Sequence, residues 1–249
     1  MKFSFPMRLN QYISLAGVCS RRGADRLIQS GEVSVNGDTA SLGRQVGPFD
    51  LVSVSGVNIT LPDRLTAFAY YKPKGIVCTS SDPHIPKEQT LSYIIENELD
   101  LPVKVFYSGR LDKDTEGLLI LTNDGILSQN MMRGALEHEK EYIVTVDKKP
   151  TKEFFIEMAS GIYLEELDIT TRPCRLMPDP HDERKFTIIL TQGLNRQIRR
   201  MCFSLGYLCT SILRTRILNI KLGDMVKGEC RELEAKELEE LYRLTSRSL

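Results

Sequence analysis

A run of charged residues between two glycines is the part of the chain best suited to chemistry. Residues 109–117 read GRLDKDTEG, and an apolar run at residues 118–122 follows them. In an extended segment Arg110 and Asp112 lie on the same side, and an aspartate that is held by an arginine stays ionised at neutral pH. Asp112 therefore suits a nucleophile or a charge stabiliser. A loop of mutually compensating charges is the alternative that the spacing leaves open.

Positive charge is concentrated in one stretch, although the 33 basic and 33 acidic residues of the chain balance. Residues 192–221 contain no Asp or Glu and six basic residues, which are Arg196, Arg199, Arg200, Arg214, Arg216 and Lys221. Three of them, Arg196, Arg199 and Arg200, follow the i, i+3, i+4 spacing of one helix face, opposite an apolar stripe. A one-sided patch in a neutral protein indicates a polyanionic partner such as nucleic acid.

A second basic cluster lies near the start of the chain. Arg8, Arg21, Arg22 and Arg26 stand there against a single nearby acid, Asp25. Ser20 is a suitable N-cap, which places Arg21 and Arg22 in the first turn of a helix. Cations there oppose the helix dipole at a cost of about 0.3–1 kcal/mol each, so the pair favours a bound anion such as phosphate. A solvated surface pair is the alternative.

The elements that carry these residues fall into two predicted domains, and the fold class that we expect is α+β. Residues 7–56 predict two short helices followed by a small sheet with a tight turn at Asn36-Gly37, and residues 57–66 predict a linker. Residues 67–249 predict a larger domain with a mixed, mainly antiparallel sheet and flanking helices. Its strands are expected at 67–79, 118–122, 142–146, 186–191 and 208–220, and its helices at 92–98, 126–132, 151–160, 197–205 and 232–244.

Composition excludes several classes of protein. No apolar run reaches the roughly 18 residues that a membrane span requires, and the first residues are too short and interrupted for a signal peptide. The six cysteines form no CxxC pair, and there are only three histidines, so we expect neither a metal site nor a disulfide framework. No phosphate-binding or dinucleotide-binding glycine motif is present, and no cofactor is expected. Free thiols predict a reducing, cytoplasmic location.

The motifs together resemble the RsuA-type pseudouridine synthases. The carriers are GRLD at 109–112, TEGLL at 115–119, TNDG at 122–125, KPKG at 72–75, KEY at 140–142, GLNRQIRRM at 193–201 and LRTRI at 213–217. The N-terminal segments RLN at 8–10, CSRRGA at 19–24 and VSVNG at 33–37 resemble a small RNA-binding module of a small-subunit ribosomal protein. The motifs occur in the family's order from about residue 7 to residue 244. The form of the basic motif is similar to the branch that acts on large-subunit ribosomal RNA.

The resemblance implies roles for individual residues. Asp112 matches the essential aspartate, Tyr142 the aromatic residue that stacks on the target base, and Arg199 the arginine that pairs with the aspartate. Ile198 and Leu213 match apolar wall positions of the pocket. The expected RNA-binding residues are Arg8, Arg21, Arg22, Arg110, Leu111, Lys113, Arg196, Gln197, Ile198, Arg200 and Arg214.

The resemblance implies that the protein isomerises a uridine in RNA, and ribosomal RNA is the expected substrate. We expect a monomer that needs no cofactor and binds no membrane. A synthase that acts on small-subunit ribosomal RNA or tRNA is an alternative. So is a non-catalytic RNA-binding or ribosome-assembly protein, although it gives no reason for the loop of Arg110 and Asp112. A glycoside or nucleoside hydrolase is a further alternative. Such an enzyme usually needs two cooperating carboxylates, and the sequence does not show whether Asp114, Glu116 or Asp124 faces Asp112. A tRNA-aminoacylating enzyme lacks support because its signature segments are missing.

Overall fold

The computed structural model of the chain describes residues 3–79, 82–133 and 137–246. The chain divides into two compact units. The first comprises Met1–Thr66 together with Leu101–Val105, and the second comprises Ala67–Asp100 together with Phe106–Leu249. Each unit has an apolar core of its own, as expected of separate domains.

From residue 3 onward, the N-terminal unit forms two helices and six short strands. The helices are α1 (Leu9–Leu15) and α2 (Arg21–Gln29). The strands are β1 (Met7–Arg8), β2 (Val33–Val35), β3 (Asp38–Thr39), β4 (Gln45–Val46), β5 (Val52–Val54) and β6 (Val57–Ile59). Four strands form a sheet in the order β3-β2-β5-β6, and β1 pairs with β4.

Local signals explain this unit. The backbone N–H of Gly23 donates to the Ser20 hydroxyl at 3.2 Å, which caps α2 as its sequence predicts. Asn36 and Gly37 both have positive φ, 56° and 91°, which gives the two-residue turn between β2 and β3 the twist that a hairpin requires. The predicted linker 57–66 needs correction at its start. Residues 57–59 form β6, because they complete the hydrogen bonding of the otherwise open edge of β5.

The described residues of the second unit form eleven strands and five helices. The strands are β7 (Ala67–Lys72), β8 (Phe106–Ser108), β9 (Glu116–Thr122), β10 (Lys140–Val146), β11 (Tyr163–Leu164), β12 (Ile169–Thr170), β13 (Arg175–Pro178), β14 (Lys185–Leu190), β15 (Cys209–Ile217), β16 (Ile220–Lys221) and β17 (Cys230–Glu232). The helices are α3 (Leu91–Asn97), α4 (Gly125–Met132), α5 (Lys152–Ser160), α6 (Gln197–Ser204) and α7 (Ala235–Thr245). Two short 3-10 helices, Lys87–Gln89 and Glu165–Leu167, complete the described part of this unit.

One large sheet organises the second unit. Its order is β13-β14-β10-β15-β9-β7-β17, and β16 and β8 pair with β15 and β9. Every pair in this sheet is antiparallel except β15 with β9, which is parallel. The predicted mixed, mainly antiparallel sheet with flanking helices is therefore confirmed. All seven residues of β9 are buried, which matches its continuous apolar run.

Helices cover the sheet with their apolar stripes. Leu127 of α4 and Leu241 of α7 share a core with Ala69 of β7 and Ile120 of β9. In a second contact, the ring of Phe154 on α5 meets the ring of Phe186 on β14 edge-on, with centroids 5.5 Å apart. In the described part of the chain, no helix has the length and apolar character that crossing a bilayer would demand.

Several element boundaries differ from those predicted. β7 ends at Lys72 rather than at residue 79 because Pro73 lacks a backbone N–H and the chain turns there. Residues 208–220 form two strands, since Leu218 adopts a positive φ of 51° between β15 and β16. α7 begins at Ala235, three residues later than expected, where Glu234 and Glu237 form a capping box. Residue 232 belongs instead to the short strand β17.

Candidate active site

The loop between β8 and β9 carries Asp112 and is held by backbone-directed hydrogen bonds. The N–H of Thr115 donates to the carbonyl of Asp112 at 3.1 Å, which closes a tight turn. The N–H of Gly75, in the turn after β7, donates to the carbonyl of Lys113 at 2.9 Å. The aspartate is therefore presented by a fixed turn just before β9, a strand that is buried along its whole length.

Lys72, the last residue of β7, holds this loop by hydrogen bonds. Its ammonium group donates to the carbonyl oxygens of Thr115 at 2.9 Å and of Pro73 at 2.8 Å. The residue is 0% exposed, and burial lowers the pKa of Lys72 to about 8. Burying an ammonium group costs free energy unless acceptors compensate it, and here the two carbonyl oxygens do so. The same two hydrogen bonds fix the conformation of the loop.

Asp112 opens onto a cavity of about 560 Å³ in the second unit. Asp112 and its loop neighbours line one side, and Tyr142 of β10 and Arg214 of β15 line the floor. The segment before α6, residues 191–196, and the end of α4 with Arg133 complete the wall. The volume is that of a small-molecule site, and it admits a nucleoside.

The floor of the cavity includes an alternating stripe that leads into β10. His138, Lys140 and Tyr142 are spaced by two residues, and all three line the cavity. Burial, with a contribution from the nearby Arg214 guanidinium, lowers the pKa of Lys140 to about 8. Nε2 of His138 donates to the carbonyl of Asn130 at 3.0 Å, which holds the stripe against α4.

Arg214 is the buried cation of this floor. It lies directly across from Tyr142 in the sheet, and its guanidinium carbon is 6.0 Å from the centroid of the Tyr142 ring. The residue is 3% exposed, and its Nε donates to the carbonyl of Leu118 at 2.7 Å. Its Nη2 is buried and has no hydrogen-bond partner within the described residues. A buried guanidinium with a free donor is ready to bind an oxygen anion.

Gly117 explains how Arg214 reaches the aspartate loop. Gly117 pairs with Arg214 in the parallel ladder between β9 and β15, and its φ is +113°. A Cβ at this position would lie 2.3 Å from the carbonyl oxygen of Arg214. Because only glycine permits this approach, the strand that carries Arg214 packs directly against the strand that follows Asp112.

The structure brings most of the predicted site residues together. The cavity is lined by Asp112, Tyr142, Arg110, Leu111, Lys113, Arg196, Gln197, Ile198 and Arg214. Arg199, Arg200 and Leu213 belong to the same unit but do not line the cavity. Arg8, Arg21 and Arg22 lie in the N-terminal unit, where each is exposed.

The predicted pairing of Arg199 with Asp112 is not found among the described residues. The Arg199 guanidinium donates instead to the carbonyl of Cys209 at 2.9 Å and to the carbonyl of Asp114 at 3.1 Å. These bonds join α6 to β15 and to the aspartate loop. Arg199 thus braces the loop from outside, and Arg214 is the arginine of β15 that shares the cavity with Asp112.

Side-chain direction corrects the prediction for Leu213, whereas Arg200 and Gln197, which were predicted to bind RNA, have hydrogen-bond partners within the protein. Leu213 packs against the core under α4 and α7 because adjacent residues of a strand point to opposite faces, and its neighbours Ile212 and Arg214 face the cavity. Arg200 donates to the Asn195 carbonyl and forms an ion pair with Glu166. Gln197 lines the cavity, but its side-chain oxygen accepts from the N–H of Leu194 at 3.0 Å.

The sequence pattern alone assigned no role to Lys72 or Lys140. Both lie in the motifs KPKG and KEY that carry the family resemblance, and each has a tyrosine two positions away, Tyr70 and Tyr142. The signal that could have found them is a lysine at the end of a predicted strand with an aromatic residue two positions away, on the same face of the strand. In such a position a charge is retained only where it binds a partner.

Comparison with known protein families matches both units of the chain. The model of the RNA pseudouridylate synthase family matches residues 66–204, more than half of the chain. The chain belongs to the RNA pseudouridylate synthase family. It is an enzyme that converts uridine to pseudouridine within RNA. A second family model, that of the S4 domain, matches residues 7–52 of this synthase.

Curated relatives align along nearly the whole synthase. The dual-specificity RNA pseudouridine synthase RluF of Escherichia coli is 42% identical over 97% of this chain and 80% of its own length. The ribosomal large subunit pseudouridine synthase B of Bacillus subtilis is 32% identical over 95% of this chain and 96% of its own. A crystal structure of a pseudouridylate synthase, 28% identical, superposes with a TM-score of 0.65 and covers 94% of this chain and 99% of that one.

Proposed function

We propose that this synthase isomerises a uridine of large-subunit ribosomal RNA, and that Asp112 is its essential catalytic group. The observation that carries the proposal is the placement of Asp112 in one cavity with the Tyr142 ring and the buried Arg214 guanidinium. The similarity to the Bacillus subtilis enzyme, which is named for the large ribosomal subunit, supports the class of RNA.

The reaction breaks the N1–C1′ bond, turns the uracil and forms a C5–C1′ bond, so it needs no external oxidant, reductant or phosphoryl donor. Asp112 acts as a nucleophile at C1′ or at C6 of the base, or as the anion that promotes elimination to a glycal-like species. In each route a fixed carboxylate beside a cation is the reacting group. The turn at Asp112–Thr115, fastened by Lys72, supplies the fixed position.

Tyr142 and the cations of the cavity offset the free energy of removing the target base from its stack. A nucleotide must leave its stack to reach Asp112, which costs a few kcal/mol. Stacking of the uracil on the Tyr142 ring contributes about 1–3 kcal/mol. Phosphate contacts from Arg110 and Arg196, which line the cavity, offset the remainder.

The N-terminal unit serves as a second RNA contact. Arg21 and Arg22 occupy the first turn of α2, where exposed backbone amides also favour an anion. Arg8 precedes α1 in the same unit and adds a third exposed cation. We propose that residues 7–56 bind flanking RNA and raise the local concentration of the target loop at the cavity. The enzyme acts as a monomer in the cytoplasm, a compartment in which its six free cysteines stay reduced.

The decisive experiment compares Asp112→Asn with Asp114→Asn. Both variants remove one carboxylate from the same loop, but Asp112 lines the cavity, whereas the Asp114 side chain is exposed. Pseudouridine is mapped in total RNA from cells that lack the gene and carry either variant. We expect Asp114→Asn to restore the modification, and Asp112→Asn to restore none while still binding RNA.

The map also tests the class of RNA. Loss of a pseudouridine in large-subunit ribosomal RNA of the deletion strain supports the proposal. A loss confined to small-subunit ribosomal RNA or tRNA would instead identify that RNA as the substrate. Modification by Asp112→Asn at the normal rate would overturn the role of Asp112. Release of free uracil would instead indicate a hydrolase.

A further inference from the structure

The outer face of α6 carries an aromatic side chain that the activity described so far does not use. Within α6, Arg199, Arg200 and Phe203 share this face, because positions three and four apart lie above one another on a helix. Arg196 is the N-cap residue that precedes them. Ile198, Met201 and Cys202 point the other way and are buried. Phe203 is 69% exposed. An aromatic ring is left in solvent at the end of a row of arginines.

Two of the three arginines of this face are hydrogen-bonded to the protein. Arg196 lines the cavity at the N-terminal end of α6, and its guanidinium lies 4.0 Å from the Asp114 carboxylate. Arg199 is bound to the carbonyls of Asp114 and Cys209, and Arg200 to Asn195 and Glu166. The row therefore starts at the cavity and ends at Phe203.

We propose that Phe203 is a stacking platform for an unpaired base of the substrate RNA, next to the nucleotide that enters the cavity. The inference rests on the proposed function and extends its binding site beyond the cavity. Phe203 lies seven positions after Arg196, which is about 10 Å along a helix. Neighbouring nucleotides of one strand cover such a distance, and cations beside an aromatic ring are the usual means of binding single-stranded RNA.

A base suits this position better than a phosphate or an apolar protein partner. Phe203 lies at the C-terminal end of α6, where the partial negative charge of the helix disfavours phosphate but leaves stacking unaffected. Arg196, Arg199 and Arg200 stand on this face against the two carboxylates that pair with them, Asp114 and Glu166, so these five side chains keep a net charge of +1, which suits a polyanion. Leu208, which follows α6, is also exposed, at 59%, but two such side chains offer little continuous apolar area to a protein.

The first test uses the absence of tryptophan from this chain. Phe203→Trp introduces a single tryptophan, and Ile156→Trp is the matched control, because Ile156 on α5 is also 69% exposed in the same unit. Both are made in the Asp112→Asn background and titrated with an unmodified large-subunit ribosomal RNA transcript. We expect the tryptophan emission to be quenched about twofold or more in the Phe203→Trp protein alone, with the same midpoint as RNA binding. Equal quenching of the two variants, or none in either, would overturn the proposal.

The second test separates stacking from apolar contact. Phe203→Leu keeps the apolar surface but loses the π face, so we expect its dissociation constant to rise about 5- to 150-fold, the equivalent of losing one stacked base. Phe203→Tyr keeps the π face and should bind like the wild type, as should Ile156→Ala. An unchanged affinity of Phe203→Leu contradicts the proposal. A dimer that Phe203→Leu dissolves would assign the ring to a protein contact and also contradict it.

The two proposals fail in different ways. If the wild type forms pseudouridine but Phe203→Leu binds the transcript normally, only the platform is wrong. If no pseudouridine depends on the gene, the proposed function itself is wrong, whatever Phe203 does.

Discussion

Three cations with restricted exposure surround a single cavity carboxylate. Lys72 lies beneath the Asp112 loop, and Lys140 and Arg214 lie in the cavity floor. Burial of a cation is costly unless a partner of opposite charge or a set of acceptors compensates it. Here two carbonyl oxygens compensate Lys72, whereas Nη2 of Arg214 lacks a partner in the described structure. The remaining positive charge is available to an anionic ligand, as RNA is.

The two candidate arginines can be separated by replacing each with lysine. Arg214→Lys keeps a charge in the cavity but loses the planar fork, so we expect the single-turnover rate to fall about 100-fold. Arg199→Lys disturbs only the bonds that brace the loop, and we expect a loss of less than about tenfold. Thermal unfolding of both variants serves as the control for folding. If Arg199→Lys instead loses more of the single-turnover rate than Arg214→Lys does, Arg199 is the partner of Asp112.

The depressed pKa of Lys140 makes RNA binding depend on pH. The pKa of Lys140 is about 8, so the residue is charged at neutral pH and loses its proton as the pH rises through that value. We expect the affinity for an unmodified ribosomal RNA transcript to fall between about pH 7 and about pH 9. In Lys140→Gln the affinity should be lower at neutral pH and should change less over the same range.

Unfolding does not account for that loss. A lysine whose folded pKa lies below its unfolded value of about 10.4 binds fewer protons in the folded state, so stability rises with pH between the two values. Lys72, whose pKa is also about 8, is present in both proteins and contributes equally to each. Equal pH profiles of the wild type and Lys140→Gln would remove Lys140 from the binding surface.

At the scale of elements, the parallel pairing of β9 with β15 builds the site. It is the single parallel pair in the described large sheet, and it sets Arg214 beside Gly117. The antiparallel pairing of β15 with β10 then sets Tyr142 beside Arg214. Two registers therefore place residues from distant parts of the chain around Asp112.

Gly117→Ala tests this pairing. The added Cβ would lie 2.3 Å from the Arg214 carbonyl and would strain a φ of +113°, so β15 must shift away from the loop. We expect the variant to lose about 1–3 kcal/mol of stability, which lowers Tm by several degrees, and to lose turnover with it.

The matched control for this prediction is Gly125→Ala. Gly125 is the first residue of α4, and a Cβ there meets nothing within 4 Å. Its Tm should stay the same or rise slightly, because alanine is the better helix former. Equal melting temperatures for the two variants would show that the sheet tolerates a wider gap between β9 and β15.

For the whole molecule, the balance of 33 basic and 33 acidic residues conceals two separate basic surfaces. One lies on the catalytic unit around the cavity and α6, and the other lies on the N-terminal unit at α2. The salt dependence of RNA binding reports the number of phosphates that such surfaces neutralise. The change in salt dependence when the cations of one unit are replaced therefore measures the contribution of that unit.

Replacement of Arg21 and Arg22 by glutamine tests the N-terminal surface. We expect the slope of log affinity against log salt to decrease by about 1.5, because two phosphate contacts are lost. Arg184→Gln with Lys185→Gln is the control, since these adjacent cations lie at the β13–β14 hairpin and do not line the cavity. The same slope in the wild type and the Arg21 and Arg22 double variant would remove α2 from the RNA contact.

Local signals made much of the fold predictable. The apolar periodicity of residues 9–16, the Ser20 cap and the Asn36-Gly37 turn each act within a few residues, and the structure contains all three. The short strands β8, β13 and β17 were missed because three or four residues carry too little periodicity. Their pairing with β9, β14 and β7 is what makes them strands.

The sequence by itself determined the loop of Asp112, the basic character of α6 and the family to which the chain belongs, because these depend on residue type and short spacing. Only the tertiary structure decided that Arg214 rather than Arg199 shares the cavity, that Leu213 points away from it, and that Lys72 is buried beneath the loop. The direction of a strand side chain reverses with every residue, so a shift of one position in the register of β15 would exchange Leu213 and Arg214. That register is set by contacts between strands about 100 residues apart, with Gly117 opposite Arg214, and no local pattern contains it.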